Sequence, residues 1–344
     1  MSLPSKYIAI DEEGYPLFGD TRITDSNVAR EIYQNIQFAE NGAFVTKLQG
    51  QEALVEAFDE PLVARHLTCE GGRWKILVPF ETEFEFEPST ITADEWDRFH
   101  GVTKNSIPFV LGRTAQAELF NLCDDYDDDS LTLSGKKIDV KPWMNSDPAI
   151  EKEQYWSNVY QTETPGWELN QASPALVDML PRLKLPKSRI LVLGCGSGND
   201  AAFFAKDGHH VTAVDFSAEA LKLGQEKFPN FTNIRWIQAD AFALPEEFYQ
   251  SYDIIFEHTC FCAIPPSKRN ELIQIWKKCL VPQGHLLGVF FTMERRFAPP
   301  FGGTEWEYRE RLKKHFQFIF WSRWQKSIDR RNGKELLIYA QKRS

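Results

Sequence analysis

Apolar positions recur along the 344-residue chain in two rhythms, and the change of rhythm divides it. Before residue 140 they come in short runs broken by turn formers. Residues 7–23 predict two short strands around the turn at Glu13 and Gly14, and Asp25 or Ser26 caps a helix carrying Val28, Ile32 and Ile36. Residues 44–48, 63–68 and 74–80 predict strands, with a turn at Gly71 and Gly72. The stretch 80–87, FETEFEFE, alternates almost strictly, which puts phenylalanines on one face of a strand and glutamates on the other. The expected product is a small α+β domain over 1–140, with a curved antiparallel sheet and one or two helices. Residues 141–154, where prolines and turn formers interrupt any period, form the expected linker.

From 155 to 344 the rhythm is that of strand-length apolar runs separated by helical segments. Strands are expected at 190–193, 211–214, 234–238, 252–256 and 285–291, and helices at 149–160, 175–180, 218–227, 267–279 and 304–315. Two last strands, 316–324 and 336–341, pair as an antiparallel hairpin through Arg331, Asn332 and Gly333. The fold class is α/β, a Rossmann-like doubly wound sheet ending in a hairpin.

One stretch organises this second half: RILVLGCGSGNDAAFFAKDGHHVTAVD, residues 189–215. Strand, glycine turn and helix follow one another, and a second strand stops at Asp215, about 20 residues after the glycines, where a parallel sheet sets a carboxylate against ribose hydroxyls. Gly194, Gly196 and Gly198 bring a ligand within reach of bare backbone N–H groups. A dinucleotide fingerprint wants its third glycine one residue later than Gly198, and Asp200 in the first turn of the helix suits a cation better than a pyrophosphate. The pattern LGCGSG looks like motif I of the class I methyltransferases that use S-adenosylmethionine. Further on, Asp240 is placed to accept from an adenine amino group and Phe242 to cover the ring. The fourth strand ends in EHTCFCAI, 257–264, where an acceptor must bind.

Composition narrows the function. The net charge of −10 is uneven: residues 1–150 hold 27 acidic against 13 basic side chains, and 151–344 hold 22 against 26. An acidic front repels phosphates, so nucleic acid is not expected as substrate. No run approaches the roughly 20 apolar residues of a membrane span, and the N-terminus lacks the apolar run of a signal peptide. The six cysteines show no Cys-x-x-Cys pair and no spacing shared with histidines. Reduced thiols in a cytoplasmic protein are expected, with neither a disulfide frame nor a metal site. The acidic run 124–129 lacks the glycine and closing glutamate of a calcium loop and reads as a solvated loop.

Residues 155–342 resemble the thiopurine methyltransferase superfamily, which includes thiol, thiocyanate and halide methyltransferases. Four blocks carry the likeness: PGWELNQASP at 165–174, the glycine turn with Asp215, FCAIPPSKR at 261–269, and APPFG at 298–302. Ala298 stands where the family usually has glycine, and Gln283 interrupts its common Pro-Gly-Gly turn. The resemblance implies a class I methyltransferase fold, S-adenosylmethionine as cofactor, and a small-molecule acceptor, most suitably a thiol or other soft anion, methylated by in-line displacement. The expected cofactor set is Trp167, Leu193, Gly194, Cys195, Gly196, Gly198, Asp200, Asp215, Phe216, Ser217, Asp240, Ala241, Phe242 and Glu257. Trp167 and Phe261 are candidate aromatic walls around a sulfonium, and Arg269 a candidate holder of an anionic acceptor. His258 is the best placed general base, with Glu257 second. Cys260 and Cys262 read as small packing residues. Two other readings stand beside this one, a cofactor-binding sensor or scaffold whose N-terminal domain contacts a protein, and a nicotinamide oxidoreductase.

Overall fold

The computed structural model describes residues 6–39, 43–94, 96–127, 129–143, 148–162, 165–292 and 299–343. The chain divides into two compact units, one of residues 1–145 with Thr304–Tyr308 and one of residues 146–303 with 309–344. Residues 144–147 of the expected linker, Thr164 and Ala298 lie outside the described residues.

In the N-terminal unit, Asp25 caps the helix Ser26–Gln34 by accepting from the N–H groups of Asn27 and Val28, and the helix buries Ala29, Ile32 and Tyr33. A six-stranded sheet, a five-stranded sheet and two three-stranded sheets supply the rest. The expected strand 63–68 is two strands. Leu62–Ala64 pairs in parallel with Pro108–Leu111, whereas His66–Glu70 pairs antiparallel with Arg73–Val78. The switch occurs within one residue: the Ala64 carbonyl accepts from Gly112 N at 2.8 Å while Arg65 N donates to the Leu77 carbonyl at 2.7 Å. Phe80, expected inside a strand, sits in a turn at φ 61°, so the alternation works only from Thr82 onward. There Phe84 and Phe86 are buried, and Glu83 and Glu85 pair with Lys75 and Lys104 on the other face. Lys141–Pro142 pairs with Thr92–Ala93, so the first residues of the expected linker belong to a sheet.

The second unit is built on seven strands, here β1 (Arg189–Leu193), β2 (His210–Asp215), β3 (Ile234–Gln238), β4 (Tyr252–His258), β5 (Leu280–Phe291), β6 (Phe316–Trp324) and β7 (Glu335–Lys342). Their order across the sheet is β3-β2-β1-β4-β5-β7-β6, with β7 antiparallel to both neighbours and the first five parallel. This is the class I methyltransferase arrangement. The order reverses between β1 and β4, and a doubly wound sheet opens its ligand crevice at that point. Successive apolar residues bury both faces of the parallel strands: Ile190 through Leu193 are each below 5 % exposed. Four helices position the site: α1 (Glu153–Thr162), α2 (Pro174–Leu183), α3 (Asn199–Lys206) and α4 (Ala218–Lys227). Helix α2 buries Ala175, Leu176, Met179 and Leu180, and α3 buries Ala201, Ala202, Phe204 and Ala205. β5 starts five residues earlier than expected, and the helix after β4 begins only at Arg269 because Pro266–Lys268 makes a 3₁₀ turn. Among the described residues no helix is long and apolar enough to cross a membrane.

Candidate active site

The β1–α3 turn holds its glycines at positive φ, 63° at Gly194 and 54° at Gly196. A Cβ at Gly194 would come within 2.7 Å of the Cys260 side chain, and one at Gly196 within 2.8 Å of the Tyr160 hydroxyl. Both positions therefore need glycine for backbone conformation and for close approach. The turn forms the floor of a cavity of about 580 Å³, a volume suited to a cofactor and a small partner.

Asp215, at the end of β2, lines this cavity. Its Oδ2 accepts from Gly196 N at 2.7 Å and its Oδ1 from Ser217 N at 2.9 Å, and the carboxylate keeps acceptor capacity for a diol. Burial pushes its carboxyl above the usual range, against the backbone N–H groups that favour the charged form. A buried acid with spare acceptor capacity, next to a turn without side chains, fits the ribose of S-adenosylmethionine. Asp240 is exposed and accepts from Phe242 N at 2.9 Å, and Asp240, Ala241, Phe242 and Phe216 all line the cavity beside Asp215.

Helix α1 and the segment after it supply an aromatic cover. The Trp167 indole donates to the Tyr160 hydroxyl at 3.0 Å, and the Trp156 ring lies 5.7 Å from that of Trp167, edge on. Burial holds the Tyr160 phenol well above its ordinary range, so it is a neutral hydrogen-bonding group. The same segment is tied to the glycine turn by Glu168, which accepts from the Ser197 hydroxyl and from Asn199 Nδ2.

His258 at the end of β4 lines the cavity and has both ring nitrogens engaged: Nδ1 lies 2.7 Å from Asp200 Oδ2 and Nε2 lies 3.1 Å from Arg331 Nη1. That arrangement corrects its assignment as a general base, since no lone pair is left for an acceptor's proton. Other expected site residues are also corrected. Phe261 is 1 % exposed, packs on Trp276 and Phe290, and is absent from the cavity wall, so it is core and not a sulfonium wall. Arg269 is fully buried on the helix Arg269–Cys279, lies over the Phe261 ring and donates to the Gly302 carbonyl at 2.8 Å, so it braces a loop instead of facing the cavity. Glu257 accepts from Phe261 N at 2.8 Å, is pushed up to about 7 by burial, and does not line the cavity. Leu193, Gly198 and Ser217 likewise stay behind the wall, Ser217 as the cap of α4. Trp167, Gly194, Cys195, Gly196 and Asp200 line it.

Cys260 and Cys262 reach the cavity as well, and burial raises both thiols, Cys262 to about 12. They are packing groups and not nucleophiles. Arg331, Arg330 and Lys334, from the β6–β7 connection, also line the cavity, and nothing in the sequence marked them as site residues. A cation in a hairpin turn ordinarily reads as solvated. Tyr160 and Trp156 did carry a signal, as aromatics on an otherwise polar helix.

The model of the thiopurine S-methyltransferase family matches residues 151–336. The chain is 30 % identical over 163 residues to probable thiol methyltransferase 2 of Arabidopsis thaliana, covering 46 % of this chain and 70 % of that protein. It is 28 % identical over 149 residues to thiocyanate methyltransferase 1 of the same plant, covering 42 % and 64 %. Among solved structures, 1,6-didemethyltoxoflavin-N1-methyltransferase of Burkholderia thailandensis, with bound S-adenosylhomocysteine, is similar at a TM-score of 0.49 and 20 % identity, covering 64 % and 99 %. With a matching family model over more than half its length and a cavity fitted to the cofactor, the chain belongs to the thiopurine S-methyltransferase family and is an S-adenosylmethionine-dependent methyltransferase.

Proposed function

We propose that the methyl acceptor is a small soft anion, a thiolate or another sulfur nucleophile, attacked in line with the cofactor's sulfur. One observation carries this reading. Lys334 is half-buried at the cavity wall, and among the described residues its ammonium has no hydrogen-bond or ion-pair partner; the exposed Arg330 beside it has none either. Unpaired cations at the edge of a partly apolar cavity suit an incoming anion. S-adenosylmethionine, when bound, supplies a methyl group on a cationic sulfur, and combination with an anion gives neutral products. The chain's residues then have to align and desolvate. Trp167, Tyr160 and Trp156 exclude water above the glycine turn, while Asp215 fixes the sugar below. With His258 committed at both nitrogens, an acceptor already ionised at neutral pH needs no base, and a thiol of ordinary pKa near 8.5 needs little help. The names of the thiol and thiocyanate methyltransferases among its relatives support the same class.

The test is a mass-spectrometric screen for methylated product with thiols, thiocyanate, halides, selenium and tellurium oxyanions and amines, all offered to the whole chain. Methylation at sulfur is expected. Turnover on amines alone overturns the acceptor class.

A further inference from the structure

The segment carrying Trp167 is fastened to the cavity by a chain of side chains that the reaction itself does not call for. Arg331 Nη2 donates to the Trp167 carbonyl at 2.9 Å, and its Nη1 donates to His258 Nε2 at 3.1 Å. His258 Nδ1 donates to Asp200 Oδ2 at 2.7 Å, and the other oxygen of Asp200 accepts from Ser173 N at 2.7 Å. The chain closes on itself: residues 167 and 173 are the two ends of one segment, held by groups from α3, β4 and the β6–β7 connection. Every side-chain member is mostly hidden, with 8 % exposure at His258, 15 % at Asp200 and 6 % at Arg331. A guanidinium has only protons to give, so the contact to Nε2 requires a bare lone pair there and fixes the neutral Nδ1–H tautomer.

We propose that Arg331 and His258 are positioning residues that latch the Trp167 segment over the cofactor, and that protonation of His258 at Nε2 opens the latch. With a proton on Nε2 the imidazole loses its capacity to accept and becomes a cation facing a guanidinium. Arg331 has somewhere else to go. The Glu335 carboxylate on β7 is 1 % exposed, lies 3.6 Å from Arg331 Nη1, and neither of its oxygens has a hydrogen-bond partner. Turning to Glu335 would satisfy that acid and release the Trp167 carbonyl. The groups that bear on His258 are Asp200 from α3, Arg331 from the connection, Glu335 from β7 and Glu257 beside it on β4. Burial works against its charged form and so does Arg331, but Asp200 together with Glu335 prevails and lifts the ring above its ordinary value. Opening is therefore expected as pH falls through the neutral range, not only in strong acid.

This inference concerns cofactor retention and stands whether or not the acceptor is sulfur. Its test is binding of S-adenosylhomocysteine by calorimetry, which needs no acceptor, together with the part of the fluorescence change on binding that Trp167→Phe removes. Arg331→Met and His258→Asn, the latter keeping a donor to Asp200 but losing the acceptor for Arg331, are expected to weaken binding roughly tenfold. Both should also lose the Trp167 signal. His258→Gln, whose amide oxygen can take the place of Nε2, is expected to restore affinity and to bind equally at about pH 6 and about pH 8.5, whereas the wild type weakens toward the acid end. Circular dichroism and Tm check that each variant folds. If folded Arg331→Met and His258→Asn bind S-adenosylhomocysteine within twofold of wild type, or if their only defect is a raised KM for the acceptor, the latch is wrong. Equal binding by the wild type at both pH values overturns the protonation step.

Discussion

At the scale of single residues, the site joins groups chosen for what they lack. Gly196 has no side chain where the Tyr160 hydroxyl must approach, so Gly196→Ala at φ 54° is expected to displace Tyr160 and with it Trp167. Binding of S-adenosylhomocysteine should fall at least tenfold without loss of the fold, as calorimetry and Tm would show. Cys195, Cys260 and Cys262 are thiols that burial keeps protonated. Iodoacetamide near neutral pH should leave all three unmodified in the native enzyme, read by peptide mass, and rapid alkylation of any of them would contradict the assignment of packing roles. Lys334 is the residue on which the acceptor class turns. Lys334→Met is expected to raise KM for an anionic acceptor roughly tenfold while leaving S-adenosylhomocysteine affinity unchanged, as the proposed charge-assisted contact of the ammonium with the acceptor alone requires.

At the scale of elements, most strands and helices of the second unit are legible because a buried parallel strand must be continuously apolar and a covering helix amphipathic. In the N-terminal unit the rule fails at 62–70, since a change of sheet within one residue leaves no mark in hydrophobic periodicity. A buried polar cluster there adds a pH term of its own. His100 on Phe99–Val102 lies between Glu60 Oε1 at 3.3 Å and Asp94 Oδ2 at 3.2 Å, stacked on the Trp143 ring. Burial opposes its charge, but the hydrogen bonds to Asp94 and Glu60 prevail and raise it. A raised imidazole contributes stability that is complete below the ordinary histidine range and is lost as pH rises through the folded value. Asp94 is likewise desolvated, yet His100 and the N–H groups of Arg98 and Trp96 hold it down at about 2, so its contribution is present at neutral pH and lost in acid as that value is approached. The N-terminal unit should be most stable in mildly acidic solution, and His100→Gln should flatten the alkaline limb of a Tm-versus-pH curve. An unchanged alkaline limb would remove His100 from the account.

At the scale of the whole molecule, two units with separate cores should answer differently to ligand. One core gathers Ile32, Phe86 and Phe109, the other Val192, Phe204 and Phe256. S-adenosylhomocysteine at about a hundred times its Kd stabilises whatever binds it by about 2.7 kcal/mol. Scanning calorimetry is expected to show that gain in the transition of residues 146–303 and 309–344, with the other transition unmoved.

The amino-acid order alone determined the glycine turn, the acid that ends β2, the doubly wound sheet and the cofactor, because strand period, turn chemistry and the spacing from Gly194 to Asp215 are local quantities. It pointed to Trp167 through the resemblance carried by residues 165–174, whereas the aromatics of α1 read only as part of a polar helix. Only the tertiary structure decided that Phe261, Arg269 and Glu257 turn inward and that His258 is spoken for at both nitrogens. It also brought Arg331, more than 70 residues later in the chain, to close the cavity. Which face of a strand end looks into a crevice, and which distant cation finds a lone pair there, depends on the packing of segments far apart in sequence, and no local pattern records it.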